Sequence, residues 1–437
     1  MSVPNIERSE VFEVSQWGVE STSAPGTAVP ALNRLEAVGV KLSPTIESDR
    51  YRPFGNKYDT LMIPGKDWTA AEISGRLDYN NVIYPLSSVV ASPTISTVGT
   101  NGRRHAFTSN STLPDTQQPF TIESGSFVRA QRATGVVLSD FGLAFRRGSI
   151  EVSGSGIGRR FTDGTYMTGD AVYSVTIDPT VSGGTFTLTY SAQTTAAIDF
   201  DATATEVQAA LVALSNIGPG DIRVTGGPGN VDPFIVTFTG SLGEGPQTLT
   251  GTFTGLTAAP GTSAVASVQT GVALSVKEAL PVIPGNVNIY ADDTFAGIGT
   301  TKLTRVFEAD FNIASRINPM WVLDSTQTSF AATVENAPDV TMRLKVAANG
   351  QGMAFLETLR ASETVYLRIE VEGPAMPAPD AAENYLFVLD MAGKIESPDS
   401  FDATDGAMSV DWTFRAVDDA DFGGAFSIAV QNLVTAL

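Results

Sequence analysis

Apolar residues recur at every second position through much of this chain. Phe307, Ala309, Phe311 and Ile313 alternate with Glu308, Asp310 and Asn312, and Val340, Met342, Leu344 and Val346 alternate with Thr341, Arg343 and Lys345. Successive strand residues point to opposite faces, so this period predicts half-buried strands. Val365, Leu367, Ile369 and Val371 repeat it against Arg368, Glu370 and Glu372, and it returns from Met408 to Phe414 and from Phe426 to Val430. Upstream, Ala71, Ile73, Gly75 and Leu77 alternate with Glu72, Ser74 and Arg76, and a longer alternation runs from Val137 to Phe145. Arg146-Arg147-Gly148 then makes a turn into 149–153, which predicts a hairpin. Met353, Leu356 and Leu359 share one face between Gly352 and Ser362, the spacing of a short helix. Many strands with few helices predict a mainly β protein, a β-sandwich or barrel-like fold with a flanking short helix.

One stretch breaks the rhythm. Phe186, Leu188 and Tyr190 alternate with threonines, and Thr203 and Glu206 then stand at capping-box spacing, where each side chain satisfies the other's backbone donor. Val207, Ala210, Leu211 and Leu214 follow at i, i+3, i+4 and i+7, one apolar helical stripe stopped by Asn216, Gly218 and Pro219. Two more strands, 222–225 and 234–239, flank a Gly-Gly-Pro-Gly turn at 226–229. The pattern predicts a small α+β domain over 174–272, inserted between two halves, 1–173 and 273–437, of one β domain and projecting outward from it. Two long stretches, 15–34 and 91–119, show no regular period and read as irregular loops that order on assembly.

The 437 residues are 42% hydrophobic, enough for packed cores rather than disorder. No apolar run reaches the roughly 18–20 residues of a membrane helix, and 1–10 is polar, so a soluble chain without a signal peptide is expected. The net charge of −20 is uneven: 1–173 has 16 basic against 17 acidic residues, 174–272 has 1 against 7, and 273–437 has 10 against 23. Holding nucleic acid by counterion release needs clustered Lys and Arg, so the balance argues against a DNA-gripping protein, though not against one that lets DNA pass. It also suggests that the near-neutral N-terminal part meets the acidic C-terminal part across subunit faces.

Little chemistry is on offer. Zero cysteines exclude disulfides, thiolate zinc and cysteine nucleophiles. His105, the single histidine, stands beside Arg103 and Arg104 with no Gly-x-Ser-x-Gly elbow elsewhere, and reads as an exposed, incidental residue. The clusters Asp399, Asp402, Asp405 and Asp418, Asp419, Asp421 lack EF-hand spacing and read as solvated loops. Neither Gly65-Lys66 nor Gly393-Lys394 belongs to a phosphate loop, and Gly154, Gly156 and Gly158 do not match the dinucleotide fingerprint. The expectation is a protein that is no enzyme, with no cofactor and no metal.

Three pieces, in order, resemble the major tail proteins, or tail tube proteins, of long non-contractile-tailed bacteriophages. They are the opening Trp17-Gly-Val-Glu through Ala31, the hairpin from Gly135 through Arg147-Gly148 to Gly158-Arg159, and the strand, helix, strand order from Asp339 to Glu372. Phe186 to Tyr190, Asp201 to Leu211 and Phe234 to Gly240 resemble a module repeated in phage structural proteins of actinobacterial hosts. The resemblance implies a self-assembling virion protein, made in the host cytoplasm. Its hexameric rings would stack into a tube for DNA ejection and contact tape measure, terminator and distal tail proteins. Some of Glu308, Asp310, Glu370 and Glu372 would then face the bore, where carboxylates repel DNA; facing outward to solvent is the alternative for each. Three other roles stay open: another virion part (tail terminator, baseplate or decoration protein), a surface or glycan-binding module carried by 174–272, or, against the expectation of no enzyme, a β-sandwich enzyme acting on polysaccharide.

Overall fold

The computed structural model describes residues 13–126, 129–257, 261–324, 326–398 and 401–437. The chain is mainly β, 51% strand and 9% helix, with three α-helices among the described residues. A larger sheet runs Val38–Tyr51, Leu61–Arg76, Ile150–Gly158, Arg129–Phe145, Val306–Ala314, Asp339–Ala347 and Ala407–Ala416, every neighbouring pair antiparallel. A smaller one runs Val287–Asp292, Val365–Ala375, Asn384–Pro398, Phe426–Asn432, Gly102–Thr108 and Thr94–Val98. The apolar sets read from the sequence face inward from both. Phe311 meets Phe426 with ring centres 5.8 Å apart, and Phe145 meets Phe387 at 6.4 Å, inside one continuous core. Strand Asn384–Pro398 joins the sheets: its first part lies in the smaller, and after Gly393 it pairs with Ala407–Ala416 of the larger.

The predicted helix is Gly350–Ala361. Asn349 caps its start by accepting from Gly352 N–H at 3.0 Å, and Phe355 seats it on Trp412 and Phe414. A second helix, Ile83–Val89, has no exposed face: all seven residues are buried, Ser87 and Ser88 included. That suits a helix inside the core and explains why amphipathic periodicity does not reveal it.

The two stretches expected to be irregular need correction. Thr94–Val98 and Gly102–Thr108 form a hairpin, its turn held by the Asp380 carboxylate, which accepts from Thr100 and Asn101 N–H. Beyond it, Asp115 is buried against Arg316, so intrachain contacts already order this stretch. The 15–34 stretch contains most of strand Val14–Val19 and the start of Asn33–Leu35. Only its middle is irregular, and there buried Glu20 accepts from Gly26 N–H, Gly135 N–H and Thr121 Oγ1 at 2.5–2.8 Å. Both glycines have positive φ (85° and 59°), which turns their donors toward one carboxylate.

The interrupting stretch has its own core, built from Phe186, Leu188, Val207, Leu211, Phe234, Val236 and neighbours, separate from that of the main sheets. Ile222–Thr225, Phe234–Phe238, Val172–Thr176 and Ala264–Gln269 form its main sheet. The capping box is present, with Thr203 N–H donating to the Glu206 carboxylate at 2.8 Å and Glu206 N–H donating back. The compact unit begins just before 174, since Val172 and Tyr173 pair within it. Its two ends meet: Val272 N–H donates to Gly169 O at 3.1 Å, and Gln269 Nε2 to Met167 O and Asp170 O.

Candidate functional site: assembly surfaces

The four carboxylates singled out from the sequence stand on two different sheets. Glu308 and Asp310 point outward from strand Val306–Ala314 of the larger sheet, and Glu370 and Glu372 outward from Val365–Ala375 of the smaller. Both strands turn their other faces into the shared core, so the two pairs look away from each other and do not line one surface together. Period two tells which residues leave the core; it does not tell which sheet a strand joins.

Their surroundings differ as well. Arg146 approaches Glu308 at 3.4 Å and Asp310 at 2.6 Å, and Arg343 spans Asp310 at 3.7 Å and Asp411 at 2.7 Å. Lys345 pairs with Asp402 at 3.2 Å, and Arg415 binds Asp339 and Glu396. These charges form a cross-strand ladder of pairs, and farther along the sheet Lys41 stands opposite Glu72 and Arg76 opposite Glu151. Between them lie small residues, among them Ser74, Ser153, Ser155, Gly142, Ala144, Thr341 and Thr413. Short side chains thus fill the space between the charged ones. On the smaller sheet, Glu370 lies between Asn288 and Val388, Glu372 accepts from Asn384 Nδ2, and Arg368 is bidentate to Asp390 at 2.7 and 2.9 Å.

The most unusual surface is one the periodicity did not single out. Past the point where Thr69 pairs with Gly158, strands Val38–Tyr51 and Leu61–Arg76 continue as a two-stranded arm with no further strand partner among the described residues. At about 3.3 Å per residue the free part, Ile46–Tyr51 against 61–67, reaches roughly 20 Å. Tyr51 opposes Leu61 and Asp49 opposes Ile63, so one face is largely apolar; Arg50 opposes Met62 on the other. Ile46, Tyr51, Phe54, Tyr58, Leu61, Met62 and Ile63 are 51–109% exposed. A second hairpin, Ile317–Met320 with Ala332–Glu335, buttresses the base through Trp321 edge-on to Trp68 at 5.8 Å and Ser329 Oγ donating to Asp67 O. It adds exposed Met320, Val322, Leu323 and Val334. The signal in the sequence was Leu61-Met62-Ile63-Pro64 beside Tyr51, Phe54 and Tyr58, apolar but without an alternating polar partner set.

His105 is not exposed. It is fully buried in strand Gly102–Thr108, its Nε2 lies 2.8 Å from Val434 O, and burial lowers its pKa, so it tethers the C-terminal end to the smaller sheet. Asp418 and Asp421 stay on the surface, whereas Asp419 organises a turn, accepting from Asp421 and Phe422 N–H and from Tyr366 OH. Asp402 and Asp405 are exposed, and Asp399 lies outside the described residues. Among the described residues no group of three or more His, Asp or Glu is arranged to hold a metal ion. No helix among them is long and apolar enough to cross a membrane.

One carboxyl stands apart. Asp170 sits where the chain enters the inserted unit, on a cleft of about 580 Å³ between that unit's 239–244 loop and Arg34, Glu36 and Glu13 of the main body. Burial, then the nearby charges of Glu244 and Glu123, push its pKa up to about 7, opposed by Arg34. Arg34 itself pairs with Glu244 across the cleft at 3.1 Å. Neither a comparison with protein-family models nor one with curated proteins finds a match for this chain.

Proposed function

We propose that this protein is a structural subunit that associates head to tail with copies of itself into stacked, hexameric rings, forming the tail tube of a long-tailed bacteriophage. The observation that carries the reading is the arm. A lone two-stranded hairpin is marginal in water, and one with seven large apolar side chains exposed is an association site awaiting a partner. Full burial of such a side chain contributes about 1.5–3 kcal/mol, so covering the arm offers on the order of 10 kcal/mol before the costs of association.

The outer face of the larger sheet suits the wall of a bore. Its outward positions are rich in hydroxyl and glycine residues, and Arg146, Arg343 and Arg415 are each matched to carboxylates while Arg76 stands opposite Glu151, so the basic groups are balanced against a passing duplex. In this arrangement Glu308 and Asp310 face the bore while Glu370 and Glu372 face outward. The inserted unit, attached through one pair of adjacent strands' ends, lies outside the wall. Contacts with tape measure, terminator and distal tail proteins follow from the family resemblance. Electron microscopy of the purified protein at rising concentration tests the proposal: stacked rings with an open axial channel support it, and a folded protein that remains monomeric refutes it.

A further inference from the structure

Because every neighbouring pair in the larger sheet is antiparallel, its two ends can be followed strand by strand. The arm leaves at the end where Thr69 pairs with Gly158, Ile157 with Val137, Phe141 with Ile313, Ile313 with Val340 and Thr341 with Arg415. At the opposite end Ala347 pairs with Ser409, and there the chain folds into a small hairpin, Asp402–Thr404 against the start of Ala407–Ala416. The arm and this hairpin therefore occupy opposite ends and opposite edges of one sheet. Seven strands at about 4.8 Å spacing separate them by roughly 30 Å across the sheet alone, so a molecule's arm does not reach its own hairpin.

The two tips are chemically complementary. Between Asp49 and Asp59 the arm tip carries three basic residues, Arg50, Arg52 and Lys57, together with Tyr51, Phe54 and Tyr58. From Glu396 to Asp411 there are five acidic residues and no basic one; Glu396 and Asp411 pair with Arg415 and Arg343, and Asp402 and Asp405 stay exposed near the tip. The hairpin tip exposes Phe401 and Met408 beside Asp402 and Asp405. Asp402 pairs with the largely covered Lys345 at 3.2 Å yet keeps 64% of its own side chain exposed, which leaves it open to a second cation.

We propose that the arm tip of one copy docks on the 401–408 hairpin of the next, with Arg50, Arg52 and Lys57 against Asp402 and Asp405, and Phe54 and Tyr58 against Phe401 and Met408. The inference rests on the self-assembly reading and names its contact. Donor and acceptor are different patches on the same molecule, so the contact is heterologous: it propagates from copy to copy instead of closing a two-fold dimer. Opposite charge sets its register, and the aromatic and thioether groups supply the area that is covered.

The chain has no cysteine, which makes pairwise cross-linking clean. In full-length protein carrying Asn56→Cys and Ala407→Cys together, two exposed tip positions outside the named contacts, oxidation after assembly is expected to yield a ladder of covalent multimers on a non-reducing gel; either substitution alone yields at most dimers. Independently, Asp402→Lys with Asp405→Lys should raise the concentration needed for assembly at least tenfold, and adding Arg50→Glu, Arg52→Glu and Lys57→Glu should restore it. Tubes that form normally, give no ladder and ignore the charge reversal overturn the docking while leaving the tube reading intact. A folded protein that never assembles overturns both.

Discussion

Removing residues 170–271 and joining Gly169 to Val272 through a short Gly-Ser bridge should leave the main body folded. The two ends are already hydrogen-bonded at 3.1 Å, so the bridge spans almost nothing. The excised stretch, about 100 residues, has a core that shares no buried side chain with the main one. Across the boundary the clearest lost interaction is the Arg34–Glu244 pair, whose side chains are 34% and 40% exposed and which contributes at most about 1 kcal/mol. Beside it lies the 580 Å³ cleft rather than close packing. The net change should stay within about 2 kcal/mol, a shift of a few degrees in the melting of the main body. Urea and thermal melts of the deletion protein measure it, and the excised unit, made alone with both boundary strands, should melt cooperatively by itself. A loss above about 5 kcal/mol, or an excised unit without a cooperative transition, would refute the separation of the two cores.

Other consequences follow from single groups. The folded-state pKa of Asp170, about 7, lies above the unfolded value near 3.9, so the proton it holds stabilises the fold below pH 4 and that contribution fades as pH rises through 7. Asp170→Asn should therefore raise stability at pH 8, on the order of 3 kcal/mol, and change little at pH 4, as read from paired melts. Asp115→Ala leaves buried Arg316 with the carboxylate of Glu335, at 2.8 Å, and the carbonyls of Val89 and Val90, and should cost about 3–5 kcal/mol in urea unfolding of the main body. Thr203→Ala removes the helix cap and should cost the inserted unit about 1 kcal/mol while leaving assembly unchanged. Glu308→Lys with Asp310→Lys would break the ladder at Arg146 and give the proposed bore a basic surplus; DNA ejection from correctly assembled tails should slow, and unchanged kinetics would remove these residues from the bore.

Strands with one buried face were legible because burial imposes alternation, as at Val340 to Val346, and the helix at Ala204–Val212 was legible because its cap and stripe are local. The helix Ile83–Val89 was not, because a helix buried all round has no exposed side to mark its period. The order hidden in 91–119 depends on Arg316 and Asp380, more than 200 residues away, which no local pattern reports. The arm escaped for the opposite reason: its apolar residues face water, so the rule that apolar means buried misleads there. Of the candidate carboxylates, the outward direction was readable, but their division between sheets and the matching of Glu308 and Asp310 to Arg146 arise from pairing across the fold.

The most direct measurement is electron microscopy of the purified protein set beside a variant with Tyr51, Phe54, Leu61 and Ile63 all changed to serine. The wild-type chain should form hollow tubes of stacked rings, and the variant, folded by circular dichroism, should remain monomeric. Tubes from the serine variant would contradict the role of the arm, and a wild-type protein that stays a monomer or closes into a two-fold dimer would contradict self-assembly itself.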